Sequence, residues 1–321
     1  MKKNTSITQD VSKVRICLIK GEVVAIPTET VYGLAANALK PEAVLKIYEI
    51  KDRPRFNPLI LHLSDSKEIE NYAEEIPDYA YKLFKKFSPG ALTYIFKKRD
   101  IIPDIVSAGL KTVAVRIPSH PVARELLKSI NFPLAAPSAN RSGKISPTSS
   151  EQVHKELNGR IEYILDGGQC EIGLESTVID CTTKKIIMLR RGVITKEDLE
   201  KATRKKVYEK EEVKTITSPG QMSSHYAPES PLYLIKDKDV KPESFNSTVG
   251  FLNFSKYSDI KEIAKNLFKD LRELDEKHYS YIIAAKVNNE GIGRAINDRL
   301  ERASSGYITL HKSRIKIIPK L

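Results

Sequence analysis

The chain has 321 residues, of which 40% are hydrophobic and 29% charged, with a formal net charge of +12. This length buries a proper core in one large or two unequal domains. The composition excludes a disordered protein, and the lack of any long apolar run excludes a transmembrane segment, so no membrane association is expected. Cys17, Cys170 and Cys181 are far apart and lack CxxC spacing, which excludes a disulfide framework and a cysteine zinc site; no metal ligands are assigned.

The first ten residues carry lysines with no apolar stretch behind them, so no signal peptide is expected and the cytoplasm is the expected location. Val23 to Ile26 reads as a strand ending at Pro27. Pro41 opens a helix whose Ala43, Ile47 and Ile50 recur at helical spacing, and Leu59 to Leu63 reads as the next strand. Between them lies Lys51-Asp52-Arg53-Pro54-Arg55-Phe56-Asn57-Pro58, three cations around two prolines. Proline pushes the residue before it out of the helical region, so Arg53 and Asn57 are expected to be extended, with Lys51 and Arg53 sharing a face that binds anions. A basic turn closing a helix is the plainer reading.

Further strands are expected over Ala91 to Phe96, Thr112 to Ile117, Leu134 to Ala136, Tyr163 to Leu165, Thr177 to Ile179 and Ile186 to Leu189. Ser119 is expected to cap the helix running to Ile130, and Thr148 with Glu151 to form a capping box for one ending near Asn158. The result is a mixed α/β domain over residues 1–204. The charged stretch after it reads as a linker exposed to water, spanning 205–229. A smaller α/β domain with a largely parallel sheet then fills 230–321, built on strands Leu232 to Ile235, Val249 to Phe254 and Tyr281 to Val287 with helices near 259–276 and 293–303. Gly291-Ile292-Gly293 lacks the third glycine of a nucleotide loop and reads as a turn.

No GxxxxGK[ST] is present, so phosphate binding must rely on side-chain cations and hydroxyl-rich turns. Several blocks supply these: Pro27-Thr28-Glu29-Thr30-Val31-Tyr32-Gly33-Leu34, the Lys51 segment, Pro137-Ser138-Ala139-Asn140-Arg141-Ser142-Gly143, Ser146-Pro147-Thr148, Glu175-Ser176-Thr177, Leu189-Arg190-Arg191-Gly192, and Ser218 to Pro228. Singly, each reads as a cap, a turn or a solvated pair. Alternation in Thr112-Val113-Ala114-Val115-Arg116 puts Thr112, Ala114 and Arg116 on one face.

In this order and spacing the blocks resemble the two-domain form of the threonylcarbamoyl-AMP synthase family, whose catalytic domain is called YrdC-like. The resemblance covers about the first 200 residues and the Ser218 to Pro228 motif. It implies a mixed twisted β-sheet with helices around a basic concave groove, plus a smaller C-terminal, Rossmann-like α/β domain. The activity it implies is nucleotidyl transfer: L-threonine and bicarbonate or carbon dioxide form a carbamate that attacks the α-phosphorus of ATP, giving threonylcarbamoyl-AMP and pyrophosphate for tRNA modification. The family's signature falls on Lys51, Arg53, Ser138 and Asn140. Thr30, His62, Arg116, Ala136 and Ser176 are then expected around threonine, and Arg53, Asn57, Thr112, Ser138, Ser146, Arg190 and Tyr226 around ATP. Mg2+ is expected with ATP and no tightly bound organic cofactor, with a separate tRNA threonylcarbamoyl transferase completing the modification and tRNA contact not required. The segment 218–228 is expected to act as a lid, because carbamates and mixed anhydrides hydrolyse readily.

Two other classes share some of these features. An RNA-binding or regulatory module would use the same basic groove, in keeping with +12 but with no need for Ser138 and Asn140. A related carbamoyl-transfer enzyme would use a different acceptor.

Overall fold

The computed structural model describes residues 4–209, 226–236, 247–311 and 314–320. Segment 210–225, which holds most of the expected linker and of the Ser218 to Pro228 motif, lies outside them. The chain divides into two compact units, residues 1–142 with 146–221, and residues 143–145 with 222–321. Among the described residues no helix is long and apolar enough to cross a membrane.

The first unit is built on one mixed sheet. Its strands are β1 (Ser6–Thr8), β2 (Val24–Ile26), β3 (Gly33–Asn37), β4 (Ile60–His62), β5 (Ala73–Glu74), β6 (Leu92–Lys98), β7 (Thr112–Arg116), β8 (Leu134–Ala135), β9 (Tyr163–Leu165), β10 (Thr177–Asp180), β11 (Ile186–Arg190) and β12 (Val207–Glu209). They lie in the order β1-β9-β2-β3-β8-β4-β7-β6-β10-β11-β12, with β5 paired to β6. One face carries the main core, where Leu61, Val113, Val115, Tyr94 and Phe96 meet residues from helices Pro41–Lys51, Asp78–Phe87, Ser150–Leu157 and Lys196–Thr203. Phe84 sits edge-on to Tyr94 with ring centroids 4.8 Å apart, the geometry that aligns a ring edge with a negative ring face.

The opposite face is divided. At β2, β3 and β8, helices Val11–Ile19 and Pro121–Lys128 cover it through Val14, Leu18, Leu126 and Leu127. Farther along, Ile60, Ala114, Ile95 and Val178 form a separate small apolar cluster with Leu189 and no helical residue in it. The polar site residues lie beside that cluster and are themselves buried.

Several local expectations change. Helix Pro121–Lys128 has no side-chain cap; His120 precedes it and Pro121 occupies its first turn, while the Ser119 amide turns to Glu29. Ser149, not Thr148, caps helix Ser150–Leu157 by accepting from the Gln152 amide. The Gly33–Asn37 stretch is a strand buried on both faces, so it lacks the alternation that reveals a half-buried strand. Beyond residue 204 the chain adds β12, paired with β11, before any linker begins. Lys51 is the last helical residue and Asp52 is left-handed at φ 52°, which breaks the extended Lys51–Arg53 pair that the prolines predict.

In the second unit the strands β13 (Leu232–Ile235), β14 (Val249–Leu252), β15 (Tyr281–Ala284), β16 (Gly306–His311) and β17 (Arg314–Pro319) stand in the order β14-β15-β13-β16-β17. The first four are mutually parallel and β17 closes the edge antiparallel to β16. Asp259 caps helix Ile260–Asp275 by accepting from the Lys261 and Glu262 amides. Tyr226 is buried in this unit, stacked on Phe268 with centroids 5.2 Å apart and lying under the Arg299 guanidinium.

One glycine is fixed by close approach. A Cβ on Gly192 would lie 2.4 Å from the Thr177 amide nitrogen and 2.8 Å from the Glu175 carbonyl oxygen, so Gly192→Ala forces backbone to move beside β10. We expect it to destabilise the unit by about 1–3 kcal/mol, read as a lower urea midpoint at unchanged m value; an unchanged midpoint would contradict the close approach.

Candidate active site

Strand register draws the site. His62 on β4 pairs with Arg116 on β7, Arg116 with Thr93 on β6, Thr93 with Val178 on β10, and Val178 with Arg190 on β11. Paired residues point to the same face, so His62, Arg116, Thr93 and Arg190 form one buried row across the sheet's second face. Ile60, Ala114 and Ile95, two residues away on their strands, make its apolar floor. The register shifts between Val178 and Ile179, leaving Leu189 as an extra residue on β11, and a bulge of this kind re-aims neighbouring side chains. Leu189 packs on the floor while Arg190 reaches back to Ser176.

Arg116 anchors the middle of the row. Its Nη2 donates to Glu29 Oε1 at 2.7 Å, Nη1 to Thr30 Oγ1 at 2.8 Å and Nε to the Gly90 carbonyl at 3.2 Å. Thr28 folds the preceding turn, its hydroxyl donating to the Val31 carbonyl and standing 2.8 Å from the Thr30 hydroxyl. Burial alone would raise the Glu29 carboxyl, but the Arg116 charge and hydrogen bond, helped by the Ser119 amide, hold it below the usual range. His62, 3% exposed, is pushed down to about 3 by burial and by the Arg116 charge. Its Nδ1 lies 3.2 Å from the Ile60 carbonyl oxygen. A carbonyl only accepts, so Nδ1 carries the hydrogen and Nε2 keeps a lone pair.

The Lys51 segment builds one rim. Lys51, 1% exposed, donates from Nζ to the Ser138 carbonyl at 2.5 Å and to the Asn140 carbonyl, and its own carbonyl accepts from the Ser142 amide. The Leu34 amide binds the Pro137 carbonyl and the Ala139 amide the Tyr32 carbonyl, so residues 137–140 run beside β3. Ala136 continues from β8, its amide on the Ile60 carbonyl. Burial, reinforced by Arg53, pushes the Lys51 ammonium well below its ordinary value, with Glu156 opposing.

Arg53 donates from Nε to the Asn57 carbonyl and from Nη2 to the Pro58 carbonyl. Burial lowers it to about 10, Tyr48 opposes, and Arg190 lowers it further. Arg53 precedes β4, and Arg190 lies four strands away on β11, about 19 Å in a flat sheet at the usual strand spacing. Arg53 and Arg190 thus stand on the two sides of that face.

The structure therefore brings Thr30, His62, Arg116 and Ser176 into one hydrogen-bonded and register-linked set, with Thr93 bridging through its 2.7 Å contact to the Ser176 hydroxyl. Lys51, Arg53, Asn57, Ser138 and Asn140 form the adjoining rim. Thr112 is level with Pro58 by extension of the β4–β7 register, placing it about 13 Å along β7 from Arg116. Ser146 is buried on the Glu175 carboxylate at 2.6 Å. Tyr226, expected at ATP, is buried in the second unit, its ring on Phe268 and beneath Arg299. Glu29 and Thr93 were not singled out from the sequence. Glu29 is the one acid in a block of hydroxyl and apolar residues, and Thr93 is a polar residue within the apolar run Leu92 to Phe96, so each left a signal. Among the described residues no group of three or more His, Cys, Asp or Glu side chains is placed to hold a metal ion.

Comparison with known proteins gives the same two-part division. The Sua5/YciO/YrdC family model, described as "Telomere recombination", matches residues 17–192, and the model described as "Threonylcarbamoyl-AMP synthase, C-terminal domain" matches residues 194–305. The threonylcarbamoyl-AMP synthase of Pyrococcus abyssi is 41% identical over 323 residues, covering 92% of this chain and 94% of that protein. That of Bacillus subtilis is 40% identical over 317 residues, covering 91% and 92%. The crystal structure of P. abyssi Sua5 complexed with L-threonine matches with a TM-score of 0.86 at 38% identity, over 94% of this chain and 97% of that one.

The His62 environment sets a pH dependence. Its folded value, about 3, lies below the unfolded value near 6.5, so the unfolded chain binds the proton more readily. The stabilising contribution is complete above about pH 6.5 and is lost as pH falls toward 3. We expect unfolding free energy to fall between pH 6.5 and 5 and His62→Asn to flatten that slope; equal slopes in the two proteins would refute a buried neutral imidazole.

Proposed function

The chain belongs to the threonylcarbamoyl-AMP synthase family across its catalytic and C-terminal domains, and we infer that it makes threonylcarbamoyl-AMP and pyrophosphate from L-threonine, bicarbonate or carbon dioxide, and ATP. The observation that carries this reading is the sheet face on which Arg116 binds Thr30 and pairs with His62, with Arg53 and Arg190 at its two sides. A related protein of this fold binds L-threonine. Here the amino acid fits the Arg116 region: one N–H on each terminal guanidinium nitrogen remains beyond the three bonds described, enough for a carboxylate. The Nε2 lone pair of His62 is an acceptor for the ammonium or the hydroxyl.

The reaction needs two bond-forming steps. The threonine nitrogen attacks the carbon of carbon dioxide, forming the carbamate C–N bond with loss of a proton. A carbamate oxygen then attacks the α-phosphorus of ATP, and the bond to the β-phosphate oxygen breaks as pyrophosphate leaves with its electron pair. Negative charge grows on phosphoryl oxygens throughout, so preformed cations over a partly desolvated face lower the barrier without reorganising. Arg53 and Arg190 are suited to this by position. Magnesium enters with the triphosphate as part of the substrate. A separate transferase acting on tRNA would consume the labile product.

The test is pyrophosphate release by the full chain given magnesium-ATP, bicarbonate and one amino acid at a time. Release that depends on threonine and is abolished by EDTA is expected, whereas threonine-independent release or none would sink the reading. Arg53→Ala should lower turnover by about 10²–10³-fold, the usual cost of losing a charge aimed at the transition state. Its thermal midpoint reports separately on the two carbonyls it leaves unbonded, and wild-type turnover would remove Arg53 from the mechanism.

A further inference from the structure

Glu29 is a buried acid, 2% exposed, beside the cation that the proposed reaction needs for the amino acid. One carboxylate oxygen accepts from Arg116 Nη2 at 2.7 Å and the other from the Ser119 amide at 3.1 Å, while the Glu29 carbonyl accepts from the Ile172 amide at 2.8 Å. It is therefore fixed at side chain and backbone. A buried ion pair is a poor source of stability, because the desolvation of both charges offsets their attraction. Its effect on the site is more specific: it fixes the guanidinium and cancels its charge before any substrate arrives.

We propose that Glu29 is a positioning residue that makes the Arg116 region selective for a zwitterionic amino acid over the phosphate anions held on the same face. The proposal rests on the threonine reading above. Glu29 and Arg116 sum to zero, and neutral His62 adds nothing. A zwitterion brings a carboxylate to Arg116 together with its own ammonium, so the local sum stays at zero. A triphosphate or pyrophosphate would set several negative charges against the Glu29 carboxylate in a poorly screened environment, where like charges repel strongly. The phosphates are thereby left to the Arg53 and Arg190 rims. The pair also leaves Arg116 with the two N–H groups a monocarboxylate uses.

Calorimetric titration of the full chain with threonine, with magnesium-ATP and with pyrophosphate tests this in wild type, E29Q and E29D, each checked for its thermal midpoint. E29Q keeps the shape and removes the charge. Threonine Kd should rise at least about tenfold in E29Q while magnesium-ATP Kd stays within about twofold, and pyrophosphate should begin to compete with threonine. E29D keeps the charge and should hold threonine within about threefold of wild type; it decides the matter if E29Q does not fold. Unchanged threonine affinity in E29Q, joint loss of threonine and ATP in a folded E29Q, or loss of threonine in E29D as deep as in E29Q would each overturn the proposal. Wild-type protein that neither binds threonine nor releases pyrophosphate would instead defeat the underlying reading, so the two failures are distinct.

Discussion

The ammonium of Lys51 inside the first unit is the contact on which the site's geometry depends. It ends a helix and grips the carbonyls of Ser138 and Asn140, residues 87 and 89 positions later, while the Ser142 amide returns a bond to the Lys51 carbonyl. Three backbone bonds, two beside β3 and one to β4, then hold residues 136–139 against Tyr32, Leu34 and Ile60. A buried cation satisfied only through geometry penalises any displacement, since each lost carbonyl contact leaves a charge out of water. That penalty locks the rim, and with it the half-buried Ser138 side chain.

The sheet supplies the second constraint. Helices cover one half of its second face, and among the described residues none joins the apolar cluster on the other half, so polar residues line up there without competing for helix packing. Register sets their spacing across strands, and twist converts a flat row into a concave surface. Lys51, Glu29, Arg116 and Arg53 are all engaged with the protein and give the surface its shape, and Arg116 keeps N–H groups beyond its three bonds.

The sequence disclosed much of this where the physics is local. Apolar alternation in Thr112 to Arg116 put Val113 and Val115 in the core and Ala114 on the opposite face, as found. The seven-residue strand around Leu92 to Phe96 and the helix opened by Pro41 were equally plain. Gly33–Asn37 was hidden because a strand buried on both faces has no period to read. The short edge strands Ser6–Thr8 and Val207–Glu209 exist through pairing with β9 and β11, a nonlocal cause that composition cannot show. For the site, the residue types and their order pointed to an anion-binding face, but only pairing of β4, β7 and β6 shows that His62, Arg116 and Thr93 are neighbours. Tyr226 was assigned by motif, and its packing on Phe268 and Arg299 was not readable from the sequence.

The displaced titrations give the same face a further property. Burial takes His62 to about 3 and Arg53 to about 10, and Arg116 holds Glu29 below the ordinary carboxylate range. These three groups therefore keep one charge state throughout the neutral range, His62 uncharged, Glu29 negative and Arg53 positive. The nucleophile, in contrast, must lose a proton from an ammonium before it can attack carbon dioxide. A face whose own charges do not respond to neutral pH leaves that proton as the variable one, with the Nε2 lone pair of His62 available to accept a hydrogen bond from the ammonium but too weakly basic to keep the proton. Lys51 is shifted in the same sense as Arg53, well below its ordinary value by burial, with Arg53 adding to the fall and Glu156 opposing it.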